Sequence, residues 1–302
     1  MSRQRASPGD GPAPRRGGLA WAALVLRGVA MGLAELVPGV SGGTIAFVTG
    51  IYEELVGTLA RLRPAALAML FRDGPGACWR HYNLGFLAAL GVGMAAAVVT
   101  FARVFEYLLD HVPTLVWAFF FGLIAASVAQ IGRGRRPADL IGFGAVGLGA
   151  AAALLTLGVG TGPAPLWMFF VGGVIAVSAW LLPAVSGSFL LLVLGLYEPV
   201  LRAFNAGEWL VPGVLALGCL VGLLAFSRLL HWLLGRIREP LLAGLTGFMA
   251  GSLYRLWPWR ADGGVVAPAA YEAATGQPAM LLATLGAAAL GVAALWLLSR
   301  LE

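Results

Sequence analysis

The chain has 302 residues, 60 % of them apolar and only 11 % charged, where a soluble chain of this length carries roughly a quarter charged residues. That balance, with a mean hydropathy of +0.87, excludes a soluble enzyme, a disordered chain and a nucleic-acid binder, and it points to an integral membrane protein. The net charge of +6 is carried by 20 arginines without a single lysine, set between apolar spans where arginine orients the chain and meets lipid head groups.

Residues 1–18 (MSRQRASPGDGPAPRRGG) are rich in Arg, Pro and Gly and are expected to form a disordered cytoplasmic tail. The run that follows meets Arg27 early and shows no small-residue cleavage site, so a removed signal peptide is not expected. Two apolar stretches, 19–60 and 165–204, are each broken in the middle by a Pro-x-Val-Ser-Gly segment. Ordinary spans of about 20 residues are expected near 84–109, 113–131, 140–160, 210–235, 241–257 and 279–299. With the broken stretches as re-entrant hairpins, fourteen arginines fall on the side of the N-terminus. Three fall opposite (Arg202, Arg255 and Arg260), and Arg27, Arg103 and Arg228 lie within spans. The positive-inside rule then puts both termini in the cytoplasm, and counting each hairpin as a double span gives the same parity.

The chain repeats itself. Residues 35–56 (ELVPGVSGGTIAFVTGIYEELV) match 180–201 (WLLPAVSGSFLLLVLGLYEPVL) at an offset of 145, with Pro38/Pro183, Ser41/Ser186, Gly42/Gly187, Gly50/Gly195, Tyr52/Tyr197 and Glu53/Glu198 in register. At an offset of 125, Phe101-Ala-Arg103 matches Phe226-Ser-Arg228, and GLIAAS (122–127) matches GFMAGS (247–252). The difference of 20 fits a longer loop, about 61–82, in the first copy. The first copy starts inside and the second outside, so the copies are inverted, an architecture recurrent among secondary transporters. The expected fold class is an all-α polytopic membrane protein with inverted-topology repeats, each carrying a Pro/Gly-broken re-entrant helical hairpin. The tail 1–18 precedes repeat 1 over 19–138, and 139–302 holds a linking span and repeat 2.

The broken segments carry the chemistry. Pro38 and Pro183 interrupt a helix; Ser41 and Ser186 are good N-caps, and the glycines let backbone turn tightly and a ligand approach. Free N–H groups and the positive end of a helix dipole suit phosphate or carboxylate. Close packing of small residues is the alternative use of the same glycines. Glu35, three residues before Pro38 and aligned with Trp180, is a carboxylate in an apolar setting. Such a group marks a function by default, as a proton carrier or as a partner for Arg27 two turns back. Arg27, Arg103 and Arg228 are candidates for bidentate phosphate recognition, or else snorkel to an interface. Glu53 and Glu198 are secondary coupling candidates that could equally pair locally near a membrane surface. Cys78 and Cys219 lie in settings too different for a disulfide. His81, His111 and His231 lack ligand spacing, and no metal or cofactor is required. No Ser-His-Asp set, Cys-x-x-Cys pair or Walker-type loop is present.

The paired segments PGVSGGTIAFVTGIYEELV and LPAVSGSFLLLVLGLYEPVL, in that order, resemble the bacterial polyprenyl-phosphate transporter family (PopT-like, formerly a domain of unknown function). The resemblance extends over nearly the whole chain beyond the tail, including GLIAAS and GSLYRLWPW. It implies a multi-pass protein of the bacterial cytoplasmic membrane, not an enzyme. Such a protein moves undecaprenyl phosphate from the outer to the cytoplasmic leaflet and so recycles the lipid carrier of cell-wall assembly. Carried onto this sequence, the anion-contacting turns are Pro38, Gly39, Val40, Ser41, Gly42, Gly43 and Thr44, and Pro183, Val185, Ser186, Gly187 and Ser188. The sequence departs from the family at Ala184, where the second motif usually has Gly, and the second turn is expected to be less open. The head group would sit between the turns, neutralised by Arg27, Arg103 and Arg228, with Glu35 coupling transport to a proton or cation. A carrier of a small soluble anion is an alternative. So is a lipid pyrophosphate phosphatase, which would need Glu35 to act as base on Ser41 or Thr44.

Overall fold

The computed structural model of the protein describes residues 16–36, 41–63, 65–133, 135–155, 164–183, 186–261 and 264–300. The described chain is helical apart from one two-residue antiparallel pairing, β1 (Arg260–Ala261) with β2 (Gly264–Val265). Five helices are long and apolar enough to cross a membrane: α1 (Gly18–Glu35), α6 (Leu84–His111), α7 (Pro113–Arg133), α12 (Leu210–Leu256) and α14 (Leu281–Ser299). Two shorter apolar helices, α8 (Pro137–Leu155) and α9 (Leu166–Leu181), join them. Their outer faces are those of a lipid-facing protein: Val99, Ile141, Val146, Leu282 and Leu290 stand 65–87 % exposed. Inside, Ser127, Ser178 and Thr246 each donate their hydroxyl to a carbonyl one turn back, which satisfies a polar group without water. The chain is a multi-pass membrane protein.

Residues 210–256 form one run of 47 helical residues. At 1.5 Å per residue that is about 70 Å, more than twice a hydrocarbon core of about 30 Å. The run breaks at Ile237 (φ −135°, ψ 46°) with Pro240 just beyond. Proline lacks the N–H and clashes with the carbonyl four residues back, so the run supplies the two spans expected over 210–235 and 241–257.

The two broken stretches take the same form. The first is α1, then α2 (Gly42–Val48) and α3 (Tyr52–Arg61); the second is α9, then α10 (Gly187–Val193) and α11 (Tyr197–Asn205). Both short helices end on a glycine in the left-handed region, Gly50 (φ 74°) and Gly195 (φ 70°). The next residue closes the cap in each, Ile51 N–H to the Ala46 carbonyl (3.0 Å) and Leu196 N–H to the Leu191 carbonyl (2.8 Å). Pro38, Gly39 and Val40 lie outside the described residues, as do Ala184, Val185 and the tail residues 1–15. Three stretches are more structured than expected. The loop 61–82 contains α4 (Ala65–Arg72) and α5 (Pro75–His81), α13 (Pro268–Thr275) follows the strand pair, and Arg16, assigned to the disordered tail, is held by Glu54.

The chain divides into two units. Unit 1 comprises Met1–Ala97 and Leu157–Arg238; unit 2 comprises Val98–Thr156 and Glu239–Glu302. Within unit 1, glycines bring α1 onto α6 and α9 onto α12. A Cβ on Gly28 would collide with the Leu90 backbone and one on Gly93 with the Val25 carbonyl; Gly173 meets Leu215 and Gly218 meets Phe170 in the same way. Within unit 2, Gly122 lies on Ala288 and Gly291 on Phe119, joining α7 to α14, while Gly247 lies on Gly144 and Gly147 on Gly244, joining α12 to α8. Small residues that let helices approach this closely replace the hydrophobic driving force that lipid cannot supply. Cys78 and Cys219 are both free thiols.

Candidate functional site

In unit 1 the start of α2 is a largely buried polar junction. Ser41 is extended (φ −126°, ψ 138°) and caps α2, its Oγ accepting from Gly43 N–H at 3.1 Å. The same hydroxyl donates to the Trp180 carbonyl at 3.3 Å. Glu35, at the end of α1, accepts from Gly42 N–H at 2.6 Å, and the Trp180 side chain is a further hydrogen-bonding group at that carboxyl. Gly43 lies so close to the second stretch that a Cβ there would sit 2.6 Å from the Trp180 carbonyl oxygen. Ser41, Thr44 and Thr58 have no exposed surface. The two broken segments therefore meet through residues that the repeat aligns, Glu35 and Trp180, and a carboxylate oxygen already occupies the α2 amide that an anionic ligand would use.

The second turn is built differently. Pro183 is buried, Ser186 is buried, Gly187 opens α10 against the Ala176 backbone, and Ser188 is exposed. The Ser186 and Ser188 hydroxyls share a hydrogen bond of 2.9 Å.

The three arginines read as lying within spans fall in different units of the chain. Arg27 is buried on α1. Arg103 is exposed on α6 and belongs to unit 2. Arg228 is exposed and donates to the Leu62 carbonyl at 2.6 Å. Glu53 pairs with Arg238 at 2.6 Å, whereas Glu198 makes only a loose contact of 3.9 Å with Arg202 on its own helix. A carboxylate that sequence reasoning passed over, Glu54, binds the Arg16 guanidinium with both oxygens (2.5 and 2.6 Å) and accepts from Asn83 Nδ2 (2.9 Å).

Arg228 instead lines a cavity of about 760 Å³ in unit 1, together with Arg61, Arg63, His81, His231 and Arg236. None of the described turn residues lines it. Arg61, Arg63 and Arg236 read in the sequence as inner-side charges, Arg228 as lying within a span, and His81 and His231 as lacking ligand spacing. What could have joined them was the extra length of the first copy, 61–82, from which Arg61, Arg63 and His81 come.

Comparison with known proteins shows the family. A family model described as VCA0040-like, undecaprenyl phosphate translocase-like, matches residues 31–272. A polyprenyl-phosphate transporter of Vibrio cholerae is 39 % identical over 244 residues, covering 78 % of this chain and 77 % of that one. The chain belongs to the undecaprenyl phosphate translocase-like family. A second relative, a polyprenyl-phosphate transporter of Staphylococcus aureus, is 30 % identical over 256 residues, 78 % of this chain and 85 % of its own. No solved structure matches. The family match takes in both broken segments and the basic cavity and ends before α14. The relatives are transporters, not enzymes.

Proposed function

We infer that this chain carries polyprenyl phosphate, undecaprenyl phosphate included, across the bacterial cytoplasmic membrane, from the outer to the cytoplasmic leaflet. The observation that carries the reading is its family, joined to a buried polar junction where two broken helices meet. The head group is received at the turns Ser41 to Thr44 and Pro183 to Ser188, with Pro38, Gly39, Val40 and Val185 completing them. In support, the Gly42 amide already holds a carboxyl oxygen at 2.6 Å. Glu35 thus acts as an internal stand-in for phosphate. Protonation of Glu35 weakens its hold on the amide so that the head group can compete for it, and its re-ionisation displaces the head group, which couples transport to a proton. Arg27, Arg103 and Arg228 supply positive charge along the route, and Glu53 and Glu198 are left with surface ion pairs.

The architecture proposed is a pair of inverted repeats, and the helix crossings support it. Adding 145 to Gly28 and Val25 and 125 to Leu90 and Gly93 converts the α1–α6 crossing into the α9–α12 crossing, residue for residue. Adding 125 to Phe119 and Gly122 and subtracting 144 from Ala288 and Gly291 converts the α7–α14 crossing into the α12–α8 crossing. In this reading α8 is the last helix of the first copy, as α14 is of the second, rather than a linking span. An odd number of crossings per copy then inverts the second.

The test is a vesicle assay. Undecaprenyl phosphate is reconstituted in both leaflets, and a membrane-impermeant phosphatase is added outside. The protein is expected to bring the inner pool to the enzyme, and Ser41→Ala to slow this strongly in protein that remains folded. An inner pool that stays protected in the presence of wild type sinks the reading, and flux of inorganic phosphate without lipid would make the chain a small-anion carrier.

A further inference from the structure

Of the residues that line the basic cavity, only Arg228 has a role in the reading above. Arg61 and Arg63 come from the C-terminal end of α3, His81 from the end of α5, and Arg228, His231 and Arg236 from α12. Positions 228, 232 and 236 recur every four residues, so Arg228, Trp232 and Arg236 share one face of that helix. Four guanidinium groups and two imidazoles line the cavity, and among the described residues no carboxylate does. The carboxylates of α3 are engaged elsewhere, Glu53 by Arg238 and Glu54 by Arg16 and Asn83. Arg228 gives one N–H to the Leu62 carbonyl, but a guanidinium has five donors in a planar fork that matches phosphate. Like charges at this density repel, and an anion in the space between them reverses the sign of that term.

The charge favours a phosphate monoester, which carries about −1.5 to −2 near neutrality, over a phosphodiester head group with its single charge. A long apolar tail has somewhere to go: Leu229 and Trp232, beside Arg228 on α12, are 47 % and 56 % exposed. The cavity is also unmatched. Arg61, Arg63 and His81 belong to the 61–82 segment that the first copy has and the second lacks, so the repeat supplies no counterpart of these three residues.

We propose that this cavity is a one-sided station for a phosphate monoester, the head group of a lipid monophosphate, separate from the turns where Glu35 and Ser41 lie. That it receives the lipid as it leaves the turns rests on the transport reading; that it binds the monoester does not.

The test footprints the arginines. Full-length protein in lipid nanodiscs is modified with phenylglyoxal, and the labelled peptides are quantified by mass spectrometry with added undecaprenyl phosphate, inorganic phosphate or phosphatidylglycerol. Undecaprenyl phosphate is expected to slow labelling of Arg63, Arg228 and Arg236 together, leaving Arg202 unchanged. In the variant R63Q/R236Q, retention of undecaprenyl phosphate is expected to fall roughly tenfold, as charge-assisted hydrogen bonds are lost, with elution on size exclusion unchanged. Protection by the lipid alone assigns the cavity to a lipid head group, and protection by inorganic phosphate as well assigns it to phosphate from either source. Equal protection by phosphatidylglycerol, or none by any probe, overturns the proposal. If protection fails while wild type still moves undecaprenyl phosphate in vesicles, only the cavity proposal falls. Protection without transport leaves the cavity standing and removes the transport reading.

Discussion

Gly42 N–H and the Glu35 carboxylate, 2.6 Å apart in a buried setting, make substitutions at position 35 separable. Glu35→Gln keeps an oxygen acceptor for the amide and removes only the ionisable group. Glu35→Ala leaves the amide unsatisfied, which costs about 1–3 kcal/mol when no water can replace the partner. The expected result is a thermal midpoint near wild type for Gln and a clearly lower one for Ala. If Glu35 carries the coupling proton, the Gln variant also moves lipid at a rate that no longer responds to a pH gradient; a wild-type response in that variant removes Glu35 from coupling. Ser41→Ala removes both an N-cap and the bond to the Trp180 carbonyl, and a cost of about 1 kcal/mol from the cap alone is expected in the same melting assay. Glu35 and Ser41 were legible because a carboxylate in an apolar run and a Ser-Gly-Gly turn are local signals. Trp180 was not, since a tryptophan in an apolar helix is ordinarily lipid-facing or core, and only the meeting of two segments 145 residues apart gives it a partner.

At the scale of elements, the glycines of α6 divide by what faces them. Gly93 abuts the Val25 carbonyl, so a methyl group there must push α1 and α6 apart, whereas Gly91, two residues earlier, has nothing within 4 Å. Gly93→Ala is therefore expected to lower stability by about 1–3 kcal/mol through overpacking. Gly91→Ala is expected to be neutral or to stabilise by up to about 1 kcal/mol through helix propensity. Equal effects in a thermal unfolding series would mean that α1 and α6 do not cross at Gly93. The hairpin elements were readable in advance because Pro-x-Val-Ser-Gly breaks and the Tyr-Glu starts of α3 and α11 are sequence punctuation. Helices α4 and α5 were not, because 61–82 is too charged and too interrupted by Pro and Gly for a span and its turns of helix gain their order from packing. The Ala66 carbonyl accepting from Cys78 Sγ at 3.7 Å is one such contact.

The whole molecule is constrained by the parity of its crossings. If α8 closes the first copy and α14 the second, the segment after α7 and the segment after the second half of α12 must lie on opposite sides of the membrane, since the copies enter from opposite sides. Arginine agrees: Arg133, Arg135 and Arg136 follow α7, on the side that the positive-inside rule gives to the cytoplasm. The segment after α12 holds the strand pair and α13, with Trp259 bonded to the Ala279 carbonyl (2.9 Å) and Trp257 to the Val266 carbonyl (2.9 Å), the aromatic composition of an interfacial cap. Exposed positions on each, Ala138 and Ala274, make this measurable in a background of Cys78→Ser and Cys219→Ala. An impermeant thiol reagent added to right-side-out vesicles is expected to label Ala274→Cys and spare Ala138→Cys, and inside-out vesicles are expected to give the reverse. Labelling of both from one side would refute an odd number of crossings between them, and with it the pairing of α8 with α14. The pattern expected here, by contrast, leaves the basic cavity of the first copy on the arginine-rich side, where a lipid monophosphate brought inward would arrive.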